Sequence, residues 1–246
     1  MIIKPLTTNV IISLVAHLYT SSGLLCSVMI FNSILSDNIR TAIIWMMISI
    51  LIDLTDGTLA RSVNVTRYTP FIDGVKMDYL VDFINVTFLP LILIYKAGWI
   101  PNESIIFISV PLIASLFNYC LVKKKAHSAG FFQGFPAFYS ILCLYLYILD
   151  GAFSRYLIVV LLHVVAIAEL LPIMFLRARG AYKYSKVVNV GGTLWLIFLL
   201  AIFYTMPKYS YTLVMVSLIY PLLYVILSII AYHDYKNNFK VTQGIQ

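Results

Sequence analysis

Apolar runs about as long as a bilayer is thick recur along the whole chain, at 9–35, 41–60, 75–95, 104–122, 135–150, 155–176, 187–206 and 211–232. A backbone in hydrocarbon has no water to bond, so a spanning segment must satisfy its own N–H and C=O groups and becomes a helix. About 20 apolar residues cross a core of about 30 Å. Composition agrees: 61% of the 246 residues are hydrophobic and 11% charged, where a soluble domain carries about 25% charged residues. These features predict an all-α, polytopic transmembrane bundle of about eight spans, forming one domain over 1–246. A six-span core with two peripheral helices is the alternative. The 16-residue run at 135–150 is short for a span and is expected to tilt or lie partly at the interface.

The basic residues fix an orientation. Taken on alternate sides of eight spans, 13 Lys and Arg fall on the side of both termini and four on the other, namely Arg40, Lys96, Arg155 and Lys208. The positive-inside rule then places both termini in the cytoplasm. The same distribution accounts for the net charge of +7, so nucleic acid is not expected as a partner. The first apolar run is too long for a cleavable leader and should remain as an anchor. Cys26, Cys120 and Cys143 lie inside apolar runs without CxxC spacing or a His neighbour, so neither a disulfide nor a zinc site is expected.

Against this background the acidic residues are unevenly placed. Five of the ten lie between 53 and 82: Asp53, Asp56, Asp73, Asp78 and Asp82. Asp53 and Asp56 are three apart, with Gly57 and Ala60 continuing their face. Gly74, Asp78 and Asp82 are spaced by four, again one helical face. If the two helices run antiparallel, four carboxylates converge on the cytoplasmic side, with Asp53 roughly 12 Å from Arg61. A lone Asp at a helix centre costs about 2.5–3.5 kcal/mol to insert. Oxygen-only ligands at this density suit Mg²⁺ or Mn²⁺, and two such ions would balance four negative charges. Gly57 and Ala60 leave the backbone open to a ligand. Arg61 can fork onto a phosphate.

The pattern DxxDGxxAR…GxxxDxxxD, filled by Asp53, Asp56, Gly57, Ala60, Arg61, Gly74, Asp78 and Asp82, resembles the signature of the CDP-alcohol phosphotransferases. The resemblance implies displacement at the phosphate of a CDP-linked substrate, with CMP leaving. It implies that Asp53, Asp56 and Asp78 hold metal, that Asp82 acts beside them as general base, and that Asp56, Gly57, Ala60, Arg61 and Gly74 surround the CDP moiety. The twelve residues between Arg61 and Gly74 are more than most of that family carries. This spacer, AHLYTSSG at 16–23, FFQGFPAFYSILCLYLYILD at 131–150 and the eight-span layout are similar to the bacterial phosphatidylcholine synthase branch. That likeness implies CDP-diacylglycerol and choline as substrates, in a bacterial inner membrane. Serine, glycerol 3-phosphate or inositol are alternative acceptors. A divalent-cation transporter is the non-enzymatic alternative, but it leaves Gly57, Ala60, Arg61 and the GxxxDxxxD spacing without a purpose.

A quaternary ammonium is held by aromatic faces. Tyr79, Phe83, Trp45, Tyr119, Phe135 and Tyr139 are the candidates, with Glu169 as a counter-ion. His17 and Glu169 stand out as ionisable groups within apolar runs, with a hydrogen-bonded structural role the leading expectation for His17. Asn85 follows Asp82 by three and would either orient it or bond between helices. Lys123, Lys124 and Lys125, and the group Arg177, Arg179, Lys183 and Lys186, are positioned to anchor the cytoplasmic side or to draw in anionic lipid. Gly191 and Gly192 permit close helix packing, including that of a homodimer.

Overall fold

The computed structural model describes residues 7–101, 105–121, 130–136, 138–177, 184–206 and 210–242, with side chains to residue 236. Lys123, Lys124, Lys125, Arg179 and Lys183 lie outside the described residues. The chain divides into two compact units, one of residues 1–119 and 137–166, the other of 120–136 and 167–246.

In the first unit, α1 (Thr8–Ser21) and α2 (Gly23–Leu35) follow one another across Ser22 as a 28-residue stretch long and apolar enough to cross a membrane. A tight turn reverses the chain into α3 (Ile39–Ser62). Asp37 adopts a left-handed φ of 53° there, and the Asn38 side chain caps α3 by accepting from the Thr41 N–H at 3.1 Å. After α3, Asn64 is again left-handed, a conformation Asn tolerates. The connector then makes one helical turn, α4 (Val65–Tyr68). Asp73 caps the next helix through the Lys76 N–H at 3.0 Å.

That helix, Gly74–Lys96, is a second kind of span. It runs as α5 (Gly74–Asp82), a π-helical stretch at Phe83–Phe88, and α6 (Leu89–Lys96). The core of the unit consists of Ile30 of α2, Ile43 and Met46 of α3, and Leu91 and Ile94 of α6. Leu144 of α8 (Tyr139–Ile148) joins them, and all six are fully buried. Around this core Leu18, Leu25, Val28, Val75, Leu80 and Phe117 point outward. Such an apolar rim is unfavourable in water and suits lipid. α7 (Ile106–Cys120) and α9 (Arg155–Leu170) complete the helices of this part of the sequence.

The second unit is built on a short antiparallel pair, β1 (Phe131–Gln133) with β2 (Met174–Leu176), in the register Phe131 to Leu176. It continues through α10 (Ser185–Tyr204), α11 (Tyr211–Ser217) and α12 (Ile219–Thr242). Phe131, Leu176, Val188 and Ala231 form its core. Ser228 donates no bond to the strands but accepts one from the Leu176 N–H at 3.2 Å, while the Tyr224 hydroxyl donates to the Leu176 carbonyl at 3.2 Å. The strand edge is thereby satisfied by side chains of α12.

Five helical stretches among the described residues are long and apolar enough to cross a membrane: Thr8–Leu35, Ile39–Ser62, Gly74–Lys96, Ser185–Tyr204 and Tyr211–Lys236. The chain is a largely helical, polytopic integral membrane protein. The other three runs expected to span form shorter helices of 15, 10 and 16 residues. Two of these differences have local causes. Gly134 takes a φ of 87° beside β1 and Pro136, which delays α8 to Tyr139. Pro172 has no N–H and disfavours helix at Leu171, so α9 stops at Leu170 and the chain enters β2 instead of continuing to 176.

Candidate metal centre

The two motif helices bring their carboxylates together. Asp53 of α3 and Asp78 and Asp82 of α5 each offer an oxygen, and the three oxygens lie within 4.8 Å of one another. None of the three residues is buried. Asp56 is, at 6% exposure, and its carboxyl lies within hydrogen-bonding reach of Asp78. Period-four spacing on α5 and period-three spacing on α3 therefore do what the sequence suggested. Asp73, the fifth acid of the stretch, is absorbed by its capping role, as expected of Asp just before a helix.

The donor set fits a hard divalent cation. All the donors are carboxylate oxygens, and metal–oxygen distances of about 2.1 Å put oxygens on one ion about 3–4 Å apart, within reach of this cluster. Asp53, Asp78 and Asp82 could hold one ion, and Asp56 beside Asp78 offers a donor for a second. Gly57 and Ala60 lie part-exposed along α3. Arg61 is exposed at its end, its guanidinium engaged only by a long contact of 3.4 Å to Thr58 Oγ1 among the bonds described.

The profile of the CDP-alcohol phosphatidyltransferases matches residues 13–230. The chain belongs to that family. It is similar to the phosphatidylcholine synthase of Pseudomonas aeruginosa, 31% identical over 135 residues that cover 54% of this chain and 56% of that protein. The phosphatidylcholine synthase of Borreliella burgdorferi is 28% identical over 199 residues, 79% of this chain and 83% of the relative. That of Legionella bozemanae is 35% identical over 122 residues, 48% and 56% respectively. The chain thus spans little more than half the length of the Pseudomonas and Legionella proteins in these matches.

Around the family's acidic motif, three of the proposed aromatic residues meet. Tyr79 and Phe83, one turn apart on the motif helix, both make T-shaped contacts with Tyr119 of α7, with ring centroids 6.1 and 5.8 Å away. Trp45 lies on α3 eight residues before Asp53, about 12 Å along the axis. Tyr139 is buried at 1% exposure. Phe135 packs edge-on against Phe175 at 5.5 Å in the second unit, and Glu169, fully buried, also belongs to that unit.

Asn85 bonds between helices. Its Nδ2 donates to the Gly23 carbonyl at 2.8 Å, and its Oδ1 accepts from Ser27 Oγ at 2.7 Å. The π-helical stretch widens the turn after Asp82, so the i+3 spacing no longer keeps Asn85 on the carboxylate face. Gly191 and Gly192 are also used within the chain. A Cβ at either would lie 2.8 Å from an atom of the Tyr220 side chain, whose hydroxyl donates to the Val188 carbonyl at 2.7 Å.

Sequence reasoning missed Ser13, Tyr19, Thr55 and Thr69. Tyr19 and Thr55 share a hydrogen bond of 2.7 Å that joins α1 to the motif part of α3. Short polar side chains scattered through apolar runs were the available signal.

Proposed function

We propose that the chain is a phosphatidyltransferase that moves the phosphatidyl group of CDP-diacylglycerol onto choline, giving phosphatidylcholine and CMP. The observation that carries this reading is the convergence of Asp53, Asp78 and Asp82 within the family's motif. The choline assignment is supported by the aromatic group of Tyr79, Phe83 and Tyr119 on and beside the same helix, and by the similarity to phosphatidylcholine synthases.

Mn²⁺ or Mg²⁺, as two ions held by Asp53, Asp56, Asp78 and Asp82, would neutralise the phosphate oxygens and the departing CMP. The chain's own groups do the rest. Asp82 takes the proton of the choline hydroxyl, a weak nucleophile that needs a positioned base. The choline oxygen bonds to the phosphorus that carries diacylglycerol, and the bond from that phosphorus to CMP breaks. Arg61 pairs with the phosphates of the nucleotide, while Gly57 and Ala60 allow it close to the backbone. The aromatic faces among Tyr79, Phe83 and Tyr119 receive the trimethylammonium group, which has no N–H to offer. In this reading the protein forms one catalytic domain of eight spans in a bacterial inner membrane. Both termini and the site face the cytoplasm, where lipid donor and soluble acceptor meet.

The test uses purified protein, CDP-diacylglycerol and Mn²⁺ or Mg²⁺, with choline, serine, inositol and glycerol 3-phosphate supplied separately. Choline-dependent CMP release with phosphatidylcholine as product, abolished by EDTA, is the expected result. A different lipid product would overturn the acceptor. Metal flux into vesicles without CMP release would favour transport.

A further inference from the structure

The signature glycine Gly74 has a neighbour that its motif does not mention. Gly74, Asp78 and Asp82 stand one turn apart on one face of α5. A side chain at 74 would begin in tight contact with the imidazole of His17. A Cβ on Gly74 would lie 3.0 Å from His17 Cε1 and 3.3 Å from Nδ1, against about 3.5–4.0 Å for an ordinary carbon contact. The ring is held there. His17 is 5% exposed and Thr69 0%, and His17 Nε2 lies 3.0 Å from Thr69 Oγ1. The Thr69 hydroxyl donates to the Val65 carbonyl at 2.9 Å. A hydroxyl has one hydrogen, so both bonds form together only with the imidazole protonated on Nε2 and donating.

The same helix grips the motif at two further points. Ser13 donates to the Val63 carbonyl at 3.3 Å, just past the end of α3, and Tyr19 bonds to Thr55, between Asp53 and Asp56. Helix α1 therefore contacts α3, the connector that follows it and the first turn of α5, with Ser13 and His17 on one face and Tyr19 reaching from another. That connector is the long spacer between the two halves of the motif.

We propose that His17 is a positioning residue for the carboxylate cluster. Together with Thr69 it pins the spacer and seats the first turn of α5, setting the height of Asp78 and Asp82 against Asp53. A side chain at 74 would press on that imidazole, so the bare Gly74 leaves the ring its seat. The inference rests on the metal-dependent reading given above.

The experiment is a double-mutant cycle on the full-length protein in detergent. It reads Mn²⁺ affinity without substrate, from the electron paramagnetic resonance signal of free Mn²⁺, and then kcat for CMP release. G74A and H17A should each weaken Mn²⁺ binding about tenfold, the scale of lost support around metal ligands. G74A should add little on the H17A background, where the methyl group has room. T69V should behave as H17A does. H17Q, whose amide N–H reaches Thr69, should recover most of the affinity. Equal damage from G74A in both backgrounds would overturn the proposal, because Gly74 would then be bare for some other reason. Unchanged Mn²⁺ affinity in T69V and H17A would overturn it too, and T69V keeps the test decisive if H17A does not fold. Wild-type protein that binds Mn²⁺ but releases no CMP overturns the transferase reading alone and leaves the cycle to be read.

Discussion

Adding and removing divalent metal should change the stability of this protein in a direction that one substitution reverses. Three fully ionised carboxylates with oxygens up to 4.8 Å apart would repel by about 3.5 kcal/mol per pair at an effective dielectric of about 20, before proton uptake relieves part of it. The three pairs together approach about 10 kcal/mol, comparable with the net stability of a whole domain. A cation bound among them relieves that strain in the folded state alone. At a Mn²⁺ concentration about 100 times Kd, linkage gives about 2.7 kcal/mol, or roughly 5–10 °C in Tm for a chain of this size. EDTA should reverse the shift. Asp78→Asn removes the charge common to two of the three pairs. It should therefore raise the Tm of the metal-free protein while abolishing most of the Mn²⁺-dependent increase and the CMP release. A scan of Tm against Mn²⁺ for wild type and variant, with Zn²⁺-free buffers and a K⁺ control at equal ionic strength, measures both. A full Mn²⁺ shift in Asp78→Asn, or a variant less stable than wild type when metal-free, would refute the placement of the ion among these three carboxylates.

The neighbouring residues carry further expectations. Asp82→Asn should lower CMP release by about 10²–10⁴, the usual range for a lost general base, in protein that still folds by gel filtration; near-normal turnover would remove Asp82 from that role. Tyr119→Leu should raise KM for choline about 5- to 30-fold, equivalent to about 1–2 kcal/mol of cation–π attraction, and leave KM for CDP-diacylglycerol unchanged. Asn85→Ala removes the bonds to Gly23 and Ser27, each worth about 0.6 kcal/mol between membrane helices. Its Tm should fall by about 2–5 °C with Mn²⁺ affinity retained, whereas a loss of Mn²⁺ binding would show that Asn85 supports the carboxylates after all.

The carboxylate cluster was legible because helical spacing is a strong constraint. Asp53 and Asp56, and Asp78 and Asp82, could share a face only if 39–62 and 74–82 are helices, and apolar length demanded that they be helices. The long spans were recoverable for the same reason, and their ends fall within a few residues of the expected ones. Short elements were not. The run 155–176 reads as one apolar stretch, but Pro172 divides it, and β2 then finds its partner some forty residues earlier in Phe131–Gln133. Hydropathy carries no information about that pairing. Asn85 was legible only as a choice between two roles, and its bonds to Gly23 and Ser27 select the interhelical one.

Glycine marks the deepest limit of reading a motif from spacing. Gly57 and Gly74 occupy equivalent-looking places, each beside an acidic pair, and sequence offers the same explanation for both, room for a ligand. At Gly74 an imidazole from 57 residues earlier lies in tight contact with where the side chain would begin, and Gly191 and Gly192, read as permitting close helix packing, pack against Tyr220 of the same chain. Spacing determines which residues share a face, whereas the occupant of a missing side chain's place is decided by a helix elsewhere in the sequence. The same logic explains the polar residues of α1. Ser13, His17 and Tyr19 are costly in an apolar run unless each is bonded, and these three bond to α3 or to the spacer that follows it. An N-terminal helix with no carboxylate of its own is thereby tied to the position of the carboxylate cluster.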